Sequence, residues 1–555
     1  MANSNTFKVG LCLAGAISAG AYTAGVIDYL IEALDEWQKR KDSGDADIPM
    51  HNVEIPIIGG ASAGGMTGII ASSVLSDKFK PVSEIKGNVL RTIPENKLYH
   101  SWVDLVDDDM LKVLLNTDDI VEGEIKSGLN SEFIDKIANR LLEESTGEIY
   151  ERRYISKNLK VFTTLSNLKG MDFNVTFKSH SSKDSSYIVT NHSDFACFML
   201  AQEESDYKND GWIPLNFRKK LNSDIAANAA MGTGAFPIGL KARALARDSK
   251  YLNELDWLDY ITKDAKNPFS PGLYESINID GGMINNEPFE NVRKVLTGIT
   301  EQDDFNDFQS YDRFKSTILM IDPFPSQTSE LNPSTELKSV IGNTLGALID
   351  QSRIKPSNLI DTNGSNRAGQ YLIEPVRYEK TESGEKSIDG SRAIACGSLG
   401  GFGGFFSKEF RIHDYFLGRA NCEQFLREYF TIPVDHTNEI FLNGYADVTD
   451  KKPYTAKNGG LQIIPIFAPR KERLYMPAFS NGKIWPTITE DYVKSYRKML
   501  KSRVEKILLN ISKYSKMERF LIWVGAKVVL NGKIADAILD TTIEAFKKNN
   551  LLENK

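Results

Sequence analysis

Val53-Glu-Ile-Pro-Ile-Ile-Gly-Gly60-Ala-Ser62-Ala-Gly64-Gly-Met-Thr-Gly-Ile-Ile-Ala-Ser-Ser-Val-Leu75 is the stretch whose reading decides the fold. Residues 53–58 have the apolar, β-branched character of a buried strand, and residues 66–75 read as a buried helix. Between them Gly60-Ala-Ser62-Ala-Gly64 fits a sharp turn that lifts a serine out of the chain. Small neighbours are needed because the backbone there approaches other chain closely. A serine at a helix N-terminus is also placed where developing negative charge is favoured. Ser62 is therefore the candidate nucleophile, with Gly60 and Gly64 supporting its turn and the backbone of Ala63 a candidate oxyanion donor.

The 555-residue length allows two to four domains' worth of core at roughly 150 residues each. With 41% apolar and 25% charged residues the composition is that of a globular protein. The formal charge of −7 gives no basic field for a nucleic acid polymer. Cys12, Cys197, Cys396 and Cys422 lie too far apart for a CxxC motif and fit buried thiols in a reducing compartment. The first eight residues lack a secretory pattern, so a cytosolic location is expected. Residues 9–27 and 55–76 carry no charge and approach the length of a membrane span, yet their glycines, and Pro56 in the second, read better as strand, turn and buried helix.

Helical spacing of Trp102, Leu105, Val106, Met110 and Leu114 predicts a helical insertion at about 78–155. Strand-like runs follow at 159–165, 172–177, 277–279 and 316–321, and strands alternating with helices imply a mostly parallel sheet covered on both faces. The runs at 277–279 and 316–321 lead into Asp280 and Asp322, and strand carboxyl ends carry chemistry in such sheets.

A serine nucleophile needs a proton acceptor. The histidines, His51, His100, His180, His192, His413 and His436, are few, and none sits in the loop after a late strand where a hydrolase triad places its base. Asp280, followed by Gly281 and Gly282, can turn sharply beside a neighbouring strand end and is the preferred base, provided burial raises its basicity. Asp322, followed by Pro323 and Pro325 as at a strand exit, ranks second.

At this point the sequence resembles the patatin-like phospholipases. Gly60-Ala-Ser62-Ala-Gly64 looks like the family's nucleophile elbow, and Asp280-Gly281-Gly282-Met-Ile-Asn-Asn286-Glu-Pro288 like its aspartate block. Ala226 to Pro237 resembles the segment that precedes that block, and the likeness covers roughly 7–325. The resemblance implies a three-layer α/β catalytic domain of patatin type over 1–330. A mainly α-helical C-terminal region, 331–555, would follow. It implies a lipid acyl hydrolase of phospholipase A type with a Ser62–Asp280 dyad, an acyl-enzyme, and neither metal nor organic cofactor. The alternatives are a catalytically weak lipid-binding or scaffold protein on the same fold, and a Ser-His-Asp esterase using His413 or His436.

The first glycine-rich loop departs from the family pattern. Ala16, Ile17 and Ala19 replace two glycines and the basic residue of the usual GGGxRG or GGGxKG loop, so Gly15 and Ala16 remain candidate oxyanion donors while the positive charge is missing. Gly401 to Arg419 is similar to a C-terminal block of large bacterial patatin-related proteins, and Arg411, Asp414 and Arg419 are expected to form a bracing ion-pair network rather than to touch a head group. Thr487 to Glu490 reads as a capping box starting a helix to about 514. The 494–519 stretch is basic and amphipathic: it either packs on the core or touches an anionic bilayer, which would make the protein peripheral at the inner membrane face.

Overall fold

Both charge-free stretches are strand-turn-helix units. In a computed structural model, β1 (Thr6–Leu13) leads through a short 3-10 turn into helix α1 (Gly20–Asp42), and β2 (Asn52–Gly60) leads into α2 (Ser62–Val74). The structure describes residues 5–78, 80–85, 96–142, 148–177, 185–255, 269–301, 310–325, 335–336, 340, 344, 347, 370–381, 384–469, 474–513, 517 and 532–553. β1 and β2 are buried at nearly every position, as strands covered on both faces must be. Among the described residues no helix is long and apolar enough to cross a membrane.

Among the described residues the central sheet has nine strands. Its main path runs β5 (Ile213–Leu215), β4 (Ser185–Leu200), β3 (Ile155–Phe177), β2, β1, β8 (Ser316–Ile321), β9 (Gln370–Ile373). Pairings β2–β3, β1–β2, β1–β8 and β8–β9 are parallel, and helices cover the sheet, giving the three-layer α/β architecture. β9 is contributed by the C-terminal region, which is therefore built into the sheet as well as helical. The two runs expected at 159–165 and 172–177 are one long strand: the β3–β4 register shifts between Ser166 and Met171, where Gly170 has φ +75°.

β6 (Arg243–Asp248) and β7 (Leu273–Asp280) form an antiparallel pair that docks on the extension of β3. Gly60, the last residue of β2, is level with Thr163, and Asp280, the last residue of β7, is level with Leu165. The sheet thus delivers the end of β7 two residues beyond the end of β2.

The Lys408–Glu428 helix lies along α1. Arg419 pairs with Asp28 and with Glu32, and the Tyr22 hydroxyl donates to Asn421 at 3.0 Å. The expected basic helix is broken at Tyr496 into Glu490–Ser495 and Arg497–Asn510. Its cap is Thr489, which accepts from Tyr492 N at 3.1 Å, because the Thr487 hydroxyl is bonded to Asn481 instead. Arg503 is buried against Asp119, Lys494 pairs with Glu490 and Arg497 with Asp536. Lys516 and Arg519 lie outside the described residues. The four cysteines are free and buried.

Candidate active site

The turn at Ser62 is strained: Ala61 is extended and Ser62 has φ +50°, a left-handed conformation rare for a side-chain-bearing residue. Close approach makes Gly64 obligatory, since a Cβ there would lie 2.2 Å from the Leu13 carbonyl oxygen. The Ser62 amide donates to Thr233 Oγ1 at 2.8 Å, so the Ser223–Thr233 helix fixes the elbow. Ser62 is 5% exposed, and its hydroxyl donates to Asp280 Oδ2 at 2.6 Å.

Asp280 is buried, and its other oxygen accepts the Gly282 amide at 2.8 Å. Its backbone is pinned by Asp280 N to the Ala235 carbonyl at 2.9 Å and by the Ser166 hydroxyl to its own carbonyl at 2.8 Å. Burial pushes its pKa up to about 6, while the bonds from Ser62 and Gly282 pull it partly back. An aspartate near 6 is ionised at neutral pH yet basic enough to take a proton.

The two groups open onto a small apolar cavity of about 50 Å³, walled by Ile17, Met66, Trp102, Phe133, Phe236 and Phe405 among others. Ile17 belongs to the first loop, Phe133 to the insertion and Phe405 to the C-terminal region, so three separate parts of the chain close it.

Of the expected oxyanion donors, Ala63 lies in the first turn of α2, where amides have no acceptor within the helix. Gly15 is adjacent to Ser62 but already directs its amide at the Asn286 carbonyl, 3.3 Å away. Ala16 follows Gly15 at the entrance to the 3-10 turn.

Asp322 does not reach this cavity's lining; its Oδ1 caps the turn after β8 by accepting from Phe324 N at 2.8 Å. Among the described residues no histidine lines the cavity either. His51 is buried in the core against the Ile463 carbonyl, its pKa lowered to about 3 by burial. His192 contacts the Asn167 carbonyl, His413 is held by Asp414 and the Trp485 ring, and His436 accepts from Asn438 N. His100 lies beside Asp104, and His180 is outside the described residues.

The network expected of Arg411, Asp414 and Arg419 does not form. Arg419 braces α1, and Asp414 spends its two oxygens on the Ala395 and Cys396 amides, each at 2.8 Å, and on His413. Arg411 lines the cavity instead. Sequence reasoning also missed Thr233; it lies in the 226–237 block, but nothing in its spacing marked it.

Residues 11–293 match the family model for patatin-like phospholipase, just over half of the chain. The chain belongs to the patatin-like phospholipase family. Membership implies a lipid acyl hydrolase. This patatin-like chain is 31% identical over 486 residues to an uncharacterized Sinorhizobium fredii protein, y4iI, covering 80% of this chain and 67% of the relative. Among solved structures, VipD from Legionella pneumophila pairs with 98% of this chain and 88% of its own at 11% identity and a TM-score of 0.20, which carries no argument about shape.

Proposed function

We propose that this patatin-like protein is a phospholipase A-type acyl hydrolase working through a Ser62–Asp280 dyad. The observation that carries the reading is the 2.6 Å bond from the Ser62 hydroxyl to a buried carboxylate at the end of an apolar cavity. Asp280 accepts the Ser62 proton as Oγ attacks the ester carbonyl, and the same proton is returned to the departing lysolipid hydroxyl. Water, activated by Asp280, then hydrolyses the acyl-enzyme. The amides of Ala63 and Ala16 serve the oxyanion, supported by the positive end of α2. Apolar walls suit an acyl chain. Ser62→Ala and Asp280→Asn, each verified as folded by circular dichroism, are expected to stop fatty-acid release from phospholipid vesicles as read by mass spectrometry. Release at the wild-type rate from either would overturn the dyad.

A second reading, a lipid-binding or scaffold protein with little turnover, is favoured by the size of the cavity. Its 50 Å³ is well below the roughly 300–1,000 Å³ of ordinary ligand pockets, so an acyl chain enters only if the walls part. A fluorophosphonate probe separates the readings, because it labels Ser62 only if that serine is activated. The proposal places the protein in the cytosol, peripheral at the inner membrane face. Within the 494–519 stretch proposed to touch an anionic bilayer, Lys494, Arg497 and Arg503 already have carboxylate partners.

A further inference from the structure

Arg411 is fully buried in the Lys408–Glu428 helix. Two of its nitrogens are satisfied: Nε donates to the Val103 carbonyl at 2.8 Å and Nη1 to the Gly404 carbonyl at 2.6 Å. Nη2 is buried with no hydrogen-bond partner. Among the described residues no carboxylate pairs with this guanidinium. Asp414 is committed to backbone amides, and Asp104 is paired with Lys408.

An unpaired buried guanidinium is costly, and arginine is the side chain least able to escape the cost by deprotonating. Arg411 lines the same cavity as Ser62 and Asp280 and is the one cationic side chain among its described lining residues. It stands in the first turn of a 21-residue helix, whose positive end adds to the potential. The first loop, in contrast, carries no charged side chain from Gly15 to Ala19. The C-terminal region is tied to that loop, since the Ser18 hydroxyl donates to the Gly401 carbonyl and accepts from Gly404 N at 3.1 Å.

We infer that Arg411 is an anion-binding residue of the active site and holds the phosphodiester of a glycerophospholipid while Ser62 attacks the acyl ester. A planar donor fork whose Nη2 amino group is still unspent suits a phosphate oxygen. The rest of the head group has room close by. A polar pocket of about 360 Å³, lined by Asp104, Asp107, Asp108, Arg140 and Lys408, shares the Leu105 wall with the catalytic cavity. Carboxylates and cations together in that pocket fit a zwitterionic head group. This inference rests on the acyl-hydrolase reading of Ser62.

The test measures how well amphiphiles of one chain length protect Ser62 from a fluorophosphonate: an alkylphosphocholine, the monoacylglycerol and the free fatty acid. The alkylphosphocholine is expected to protect at a concentration at least tenfold lower than the other two. Equal protection by all three would overturn the inference, and so would a fatty acid as effective as the alkylphosphocholine, because the site would then be one for carboxylates. Absence of wild-type labelling would instead count against the hydrolase reading. In Arg411→Gln the ratio of kcat/KM for phospholipid to that for an uncharged acyl ester is expected to fall roughly ten- to a hundredfold. An unchanged ratio also overturns the inference. The protection series on the wild-type chain decides the matter even if the variant does not fold.

Discussion

Ser62 and Asp280 are 218 residues apart in the chain and joined by a 2.6 Å hydrogen bond. The meeting is a consequence of register. β2 ends opposite Thr163 of β3, β7 ends opposite Leu165 of the same strand, and the turn into α2 lifts the serine toward the carboxylate. Because Asp280 is anchored through its amide, its carbonyl and one carboxylate oxygen, its second oxygen has little freedom except to receive the serine hydroxyl.

The raised pKa of Asp280 sets a pH profile. Turnover requires the ionised carboxylate, so kcat/KM on an ester that does not itself titrate is expected to fall about tenfold per pH unit below about 6. A profile flat down to pH 4.5 would exclude Asp280 as the base.

The same shift has the opposite sign in stability. Since the folded-state pKa lies above the unfolded value, the native state binds the extra proton between about pH 4 and 6, and stability falls as pH rises through that window. Asp280→Asn removes the buried charge, so the variant is expected to be more stable than wild type at pH 7, by about 1–3 kcal/mol. The gap should close as pH falls toward 4. Urea denaturation at pH 4.5 and 7 measures it, and a variant markedly less stable at pH 7 contradicts the account.

Thr233 holds the elbow through the Ser62 amide. Thr233→Val keeps the shape and removes the acceptor, which is expected to cost about 1–3 kcal/mol of stability and at least tenfold in kcat/KM. Thr233→Ser should recover most of both. Urea denaturation and steady-state kinetics on one neutral ester report the two effects, and equal activity in all three proteins would remove Thr233 from the site.

Arg419 tests how the C-terminal region is held on α1. Asp28 is fully buried, and burial pushes its carboxyl upward against the pull of Arg419 and Asn96. Arg419→Met strands that carboxylate and is expected to destabilise the protein by about 3–5 kcal/mol, with a second change, Asp28→Asn, restoring much of the loss. A denaturation midpoint that does not move in the single variant would show that the pair does not brace the helix.

Much of this was legible in the sequence for physical reasons. The nucleophile unit is local: strand, small residues, serine and helix lie within 23 consecutive residues, and so does their conformational logic. Asp280 was legible because its two following glycines announce a sharp turn. Thr233 and Arg411 were not, because their roles depend on which distant group meets which atom. Charge pattern alone suggested that Arg411 pairs with Asp414, whereas Asp414 faces the Ala395 and Cys396 amides. Likewise β9 escaped notice because a four-residue strand carries almost no periodic signal, and it is defined only by the ladder on β8.

The most direct test of the central claim is the rate at which a fluorophosphonate modifies Ser62 in the wild-type chain and in Asp280→Asn, with the labelled peptide located by mass spectrometry. Modification at Ser62 in the wild type, slowed at least a hundredfold in Asp280→Asn, is the expected result. Modification of a different residue, or equal rates in the two proteins, would contradict the account.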